Sequence, residues 1–219
     1  MAYEAKILLD SINDSGNRLT TFLVTYPRII NAEVLRHRML SFSSESSRAI
    51  PLSKVIQRVV DDPFVPIYWG KNQAGMQAKE ELTGNMLELA KVDWLEARDH
   101  AVNAAKSMEM RKVHKQIAAR VLEPFLWVSL IISGTEWQNF FNLRQDDSLP
   151  SESSTLRGRF NPDFPAQPEV QVVAHMMREL YDNNIPIVTD GGYWHLPMIQ
   201  TAELMEYDIS IDGFIKVST

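Results

Sequence analysis

The chain predicts an α+β fold, a single domain in which an antiparallel sheet carries helices packed on it. Three features point there. Two β-leaning runs, Ala5 to Ile12 and Leu19 to Tyr26, meet across the turn-forming stretch Asn13-Asp14-Ser15-Gly16-Asn17, where Gly16 can take a positive φ. A third apolar run, Leu126 to Ser133, is bounded by Pro124 and Gly134, and the segments between and after these runs carry helical spacing. At 219 residues, 45% apolar and 23% charged, the chain is long enough for one good core.

Taken in order, Pro27 ends the second strand, and Ile29 to Met39 places Ile30, Val34, Leu35 and Met39 at helical spacing. That would set Arg36, His37 and Arg38 on a last helical turn, where the dipole favours cations. After a serine-rich loop, Pro51 suits the first turn of a short helix from Leu52 to Val60, closed by Asp61-Asp62-Pro63. Tyr68 to Met76 reads as an ordered surface segment able to face a ligand. Gln77 to Met108 reads as one long helix, or two broken near Gly84. A further helix is expected from Val113 to Leu122, with Ile117 and Val121 inward and Arg120 on a neighbouring face.

Beyond the third strand, Trp137, Phe140 and Phe141 start a short helix finishing at Asn142-Leu143-Arg144. The stretch from Gln145 to Pro165, 21 residues without periodicity, is expected to be a functional lid or partly disordered. Gln167 to Asp182 returns to helix, with Val170, Val173, Met176, Met177 and Leu180 spaced for a core face, and the tail ends in a strand-like run, Gly213 to Val217. Trp127, Trp137, Phe140 and Phe141 read as core, and His100 and His114 as structural or surface residues. Tyr68, Trp69, Trp194 and His195 are the aromatic residues placed nearer a ligand.

Composition narrows the function. A net charge of -6 and a pI near 5.4 argue against a broad footprint on DNA or an anionic membrane, so any anion is expected to be held locally. The chain has no cysteine, which excludes disulfides, thiolate metal ligation and a Cys nucleophile. No basic segment leads into an apolar stretch at the N-terminus, and the longest apolar run, Phe125 to Ser133, is about half a membrane span, so a cytoplasmic location is expected. Against this acidic background, Arg36-His37-Arg38 runs into a segment with five serines (Ser41, Ser43, Ser44, Ser46 and Ser47) closed by Arg48. Cations beside small hydroxyl donors outline an anion site, and a bound phosphate accounts for both.

Arg36-His37-Arg38, seven residues and then Ser46 satisfy the RHR-x7-S signature of flavin-dependent thymidylate synthases, the ThyX family. Ala119-Arg120-Val121-Leu122-Glu123-Pro124 resembles that family's Ala-Arg-x-x-x-Pro segment, Asn139 to Arg144 its Asn-Phe-x-x-Leu-Arg segment, and Ala166-Gln167-Pro168-Glu169 its Ala-Gln-x-Glu segment. The runs Ser46 to Pro51, Tyr68 to Gln73 and Gly134 to Trp137 are similar to the phage-type branch. The resemblance implies C5 methylation of dUMP with methylenetetrahydrofolate and reduced FAD, NADPH re-reducing the flavin, and no protein nucleophile. By position it implies Arg36, His37, Arg38 and Asn139 at the flavin, and Glu33, Ser44, Ser46, Arg48, Arg120 and Arg144 at the nucleotide. Arg144 and Arg38 are its implied catalytic residues, with Arg144 beside the pyrimidine ring. It further implies a homo-oligomer, most simply a tetramer whose sites draw on several subunits.

The chain departs from the family pattern in named places. Glu33 stands where the family usually has a glutamine that touches phosphate, Ser43-Ser44 replaces an Asn-Glu pair with Glu45 displaced by one, and Pro165 replaces a histidine. The family's later flavin-binding segments, Ala-Arg-x-Ser/Ala and His-x-Ser/Thr-Pro-Phe-Glu-His, do not occur in this sequence. Three alternatives stay open: a second chain supplies them, they lie beyond Thr219, or flavin binding is altered. The first two departures also leave room for dCMP as substrate or a hydroxymethyl product, and the missing flavin-binding segments for a non-catalytic nucleotide-binding piece of a split enzyme.

Overall fold

The opening hairpin forms where its alternation and turn chemistry require. In the computed structural model, which describes residues 3–46, 49–75, 77–189 and 195, β1 (Glu4–Asn13) and β2 (Arg18–Pro27) pair antiparallel, with one irregularity of register between Ile7 and Leu9. Gly16 turns the chain at φ 79°, and the Asn13 carboxamide accepts the backbone N–H groups of Ser15 and Asn17. On its other side β2 pairs with β4 (Trp127–Gly134), from Thr20 opposite Gly134 to Pro27 opposite Trp127. A short edge strand, β3 (Ser41–Ser44), joins β4 antiparallel, and β5 (Ile187–Thr189) joins β1 in parallel, giving the order β3-β4-β2-β1-β5. The expected α+β architecture is therefore present, the sheet being antiparallel except at β5.

Every second residue of a strand faces the same way, so Phe22, Val24 and Tyr26 of β2 share a face with Val128, Leu130 and Ile132 of β4, and all six are buried. Onto that face pack α5 (Trp137–Arg144) through Trp137, Phe140 and Phe141, and α6 (Pro168–Asn183) through Val170, Val173 and Met177. These aromatic rings are core, as their spacing suggests; Trp127 is half-buried, edge-on to Tyr3 and Phe64. A second apolar cluster joins α2 (Leu52–Asp61), α3 (Gly84–Met110) and α4 (Lys115–Ala118) through Val55, Val59, Val102, Ala105, Ala118 and Leu122. At the far end of the hairpin, Arg18 donates to both Asp10 oxygens (2.9 and 2.6 Å) and lies 3.8 Å over the Tyr181 ring, tying the hairpin to the end of α6.

Several local expectations fail for identifiable reasons. The helix expected over Ile29 to Met39 shrinks to a 3₁₀ turn at Arg28–Ile30 and one turn of α-helix, α1 (Asn31–Val34). Only Ile30 and Val34 find the core, Leu35 and Met39 being exposed, and the chain must leave the helix early for Leu40 to reach Gly134 and start β3. The serine segment is accordingly not all loop: Ser41 to Ser44 is strand. Gln77 to Thr83 is not helical, because Lys71 and Leu82 bond across to Glu80 and Trp69 (both 2.7 Å), and the single helix starts at Gly84 (φ 59°). The helix expected over Val113 to Leu122 is one turn of α4 followed by a 3₁₀ segment, Ala119–Phe125, which turns Ala118, Ala119 and Leu122 inward and leaves Ile117 60% exposed.

The segment 145–165 is packed rather than loose. Phe160 is buried, and Gln171 of α6 accepts the Asn161 N–H while donating to the Asn161 and Ala166 carbonyls at 2.9 and 2.7 Å. The strand-like run Gly213 to Val217 lies outside the described residues. A Cβ added at Gly134 would overlap Leu40 Cδ2, which is itself buried, so the loop that ends at Leu40 is seated directly on this glycine. Gly134→Ala should therefore destabilise the fold by about 1–3 kcal/mol, measured by urea denaturation. A variant as stable as the parent would show that Leu40 is not fixed there.

Candidate functional site

Because β3 lies against β4, with Ser41 opposite Ser133, the residues just before β3 come to rest beside the helix that follows β4. Arg36, His37, Arg38, Met39 and Leu40 thus meet Glu136, Asn139, Phe140, Leu143 and Arg144 around an open cleft of about 200 Å³. Arg36 and Arg38 are exposed, and their side chains make no ion pair or hydrogen bond among the described residues. Cations left unneutralised at a concave surface favour an anionic ligand.

His37 behaves differently from its neighbours. It is buried, its ring stands edge-on to Phe140 at 4.8 Å, and its Nε2 lies 2.9 Å from Arg144 Nε. An arginine Nε–H can only donate, so the imidazole must accept there, which makes it neutral with its proton on Nδ1. Burial first, and the adjacent Arg144 charge second, hold its pKa below the ordinary histidine value. The basic triplet is therefore two cations and a neutral hydrogen-bond acceptor, a correction to the reading of three cations in a row. Arg144 is also 3.8 Å from Glu33 through Nη1, while its second terminal nitrogen has no partner among the described residues. Glu33 adds a repulsion that helps to raise the pKa of the buried Glu169, after burial itself.

Other residues singled out by sequence lie elsewhere. Ser44 and Ser46 are exposed at the opposite end of β3, where the Glu45 N–H bonds to the Ser129 carbonyl and Arg58 pairs with Glu45 at 3.1 Å. Arg120 is exposed and pairs with Glu123 at 2.7 Å, which also meets Arg28 at 3.2 Å. At roughly 3.3 Å per extended residue, Ser46 sits on the order of 15 Å along the edge from Ser41. One chain thus carries two groups of candidate residues, with Arg36, Arg38, Asn139 and Arg144 in one and Ser44, Ser46 and Arg120 outside it. Arg48 and Trp194 fall outside the described residues. His195 bonds to Ser11 and Thr21 on the sheet (2.8 and 2.9 Å), and Tyr68 and Trp69 pack on Phe160 and Trp94, so none of the three lines the cleft. Sequence reasoning missed Glu136, whose only signal was its place three residues before Asn139.

The family model described as thymidylate synthase complementing protein matches residues 19–187, which span both the triplet and α5. The chain belongs to this family, ThyX. As a ThyX member it is a methyltransferase of the thymidylate-forming type. Its fold is similar to two solved structures of a UMP/dUMP methylase, PolB from Streptomyces cacaoi. The one bound with 5-Br UMP has a TM-score of 0.57 at 18% identity over 80% of this chain and 86% of that one. The one bound with 5-Br dUMP has a TM-score of 0.58 at 16% identity over 80% and 87%. No curated protein sequence matches this ThyX chain. Among the described residues no helix is long and apolar enough to cross a membrane.

Because the folded pKa of His37 is depressed, the protein should lose stability as pH falls through the unfolded histidine value of about 6.5. There the unfolded ring takes up a proton that the folded ring resists; above that pH His37 contributes no slope. An NMR titration should place its midpoint below the ordinary value and move it upward in Arg144→Met. A wild-type midpoint at or above the ordinary value would remove the donor–acceptor assignment.

Proposed function

We propose that this ThyX chain methylates C5 of a uridine-type mononucleotide, dUMP first, using methylenetetrahydrofolate as one-carbon donor. The observation that carries this is the meeting, in one cleft, of two unneutralised arginines with an Arg144 guanidinium held against a neutral histidine. Arg36, Arg38 and Asn139 would hold FAD, which when bound and reduced by NADPH would supply the hydride that completes the methyl group. The cleft suits such a cofactor chemically: Arg36 and Arg38 can meet a diphosphate, and the exposed Asn139 carboxamide offers both donor and acceptor. His37, engaged with Arg144, contributes by orienting that side chain.

Arg144 would donate to a carbonyl oxygen of the pyrimidine, and a cation there stabilises negative charge developing on the ring as C5 attacks carbon. No side-chain nucleophile is needed for that step. Ser44, Ser46, Arg48 and Arg120 would hold the phosphate, and since the described ones lie away from the cleft in a single chain, the complete site joins groups from different copies, as in the expected homotetramer. The solved neighbours are methylases of UMP as well as dUMP, so both nucleotides belong in the assay.

Two experiments test this reading. Protein reconstituted with FAD and supplied with dUMP or UMP, methylenetetrahydrofolate and NADPH should yield a product heavier by one methyl group, and Arg38→Ala or Arg144→Ala should lower the rate at least about 100-fold. Absence of any methylated product from either nucleotide sinks the assignment. Mixing inactive Arg144→Ala with inactive Arg120→Ala should restore part of the activity, since shared sites pair an intact half from each parent. No recovery on mixing would mean that each site lies within one chain.

A further inference from the structure

We infer that Glu33 is a positioning residue that, together with His37, clamps the Arg144 guanidinium so that its second terminal nitrogen addresses a neutral carbonyl oxygen and not a phosphate. The inference rests on the reading of the cleft as a pyrimidine nucleotide site, and it changes what this position does. Where the family usually places a phosphate-touching glutamine, this chain has a carboxylate.

The geometry gives that carboxylate another task. A guanidinium is planar, and contacts to two of its nitrogens determine how the plane is turned. His37 Nε2 accepts from Arg144 Nε at 2.9 Å, and Glu33 Oε2 stands 3.8 Å from Nη1, Glu33 reaching α5 from α1 and His37 from the turn that follows it. Arg144 is the last residue of α5 and Glu33 lies within α1, so the pair also ties these two helices together beside the cleft. The side chains of Arg144 and Glu33 are only 19% and 26% exposed, so solvent screens the pair less than it would an exposed one.

Charge excludes the alternative ligand at this point. A phosphate on Arg144 would face the Glu33 carboxylate a few ångströms away, and Glu136 adds a second negative group to the lining. Like charges that close oppose binding, whereas a carbonyl oxygen bears no net charge and accepts the same hydrogen bond. The phosphate is thereby left to candidate residues outside the cleft, Ser44, Ser46 and Arg120 among them. At 3.8 Å the pair is longer than a hydrogen bond, so the role of Glu33 lies in orientation and selectivity.

Full-length Glu33→Gln and Glu33→Asp proteins, beside wild type, supply the test. The first readout needs no substrate: hydrogen exchange of the Arg144 Nε–H in nitrogen-15 spectra, its resonance assigned by loss in Arg144→Lys. Exchange should quicken at least about threefold in Glu33→Gln as the guanidinium turns more freely, and stay nearer wild type in Glu33→Asp. An unchanged rate in Glu33→Gln overturns the clamp. The second readout is steady-state kinetics with dUMP and competition by inorganic phosphate. In Glu33→Gln kcat should fall about tenfold with KM within about twofold, Glu33→Asp should recover part of kcat, and phosphate should compete more strongly. A rise in KM at unchanged kcat, or weaker competition by phosphate, overturns the assignment, because the carboxylate would then be serving uniform binding. Should wild type bind and methylate neither dUMP nor UMP, the proposed reaction fails instead, while the exchange measurement still decides the clamp.

Discussion

The short ladder between β3 and β4 is the constraint on which the site depends. Four residues on each strand, Ser41 opposite Ser133 through Ser44 opposite Leu130, bring a loop from early in the chain against a helix about a hundred residues later. Leu40 settles on Gly134 because that position has no side chain, and the next residues in each direction are then the triplet and α5. From this follow the 2.9 Å bond between His37 and Arg144 and the edge-on contact of His37 with Phe140. An edge strand this short is easily lost, but here its apolar flank, Phe42, packs against the main core while its serines face outward.

Electrostatically the site is defined by which cations are left over. The chain is acidic, and most of its described arginines meet a carboxylate: Arg18 with Asp10, Arg28 and Arg120 with Glu123, Arg58 with Glu45, Arg159 with Glu179. Against that pattern, Arg36 and Arg38 stand unpaired among the described residues at the rim of a concave surface. Arg144 is held from two sides without being fully occupied. Burial keeps His37 neutral, and so it can accept from Arg144 where a third cation would repel it.

Much of the architecture was legible from short-range pattern. The hairpin, β4, α2, α5 and α6 all begin and end within a residue or two of where alternation, proline and helical spacing put them. The failures share a cause. Around Asn31, Gln77 and Lys115 the sequence is a fair helix former, but non-local contacts decide otherwise: Leu40 on Gly134, Leu82 bonded to Trp69, Leu122 turned into the second cluster.

For the site, the motif residues carried their chemistry in the sequence itself: guanidiniums, a carboxamide and hydroxyls suited to anions and to a polar ring, and no thiol to act as nucleophile. What the sequence by itself determined is thus the set of functional groups and the family to which their order belongs, since both depend only on residue type and spacing. Whether His37 carries a charge, where Glu33 points and which candidates share a cleft were decided by the tertiary structure alone. Those properties depend on distances of a few ångströms between residues far apart in the chain, where burial and a neighbouring charge outweigh anything a residue's own identity can specify.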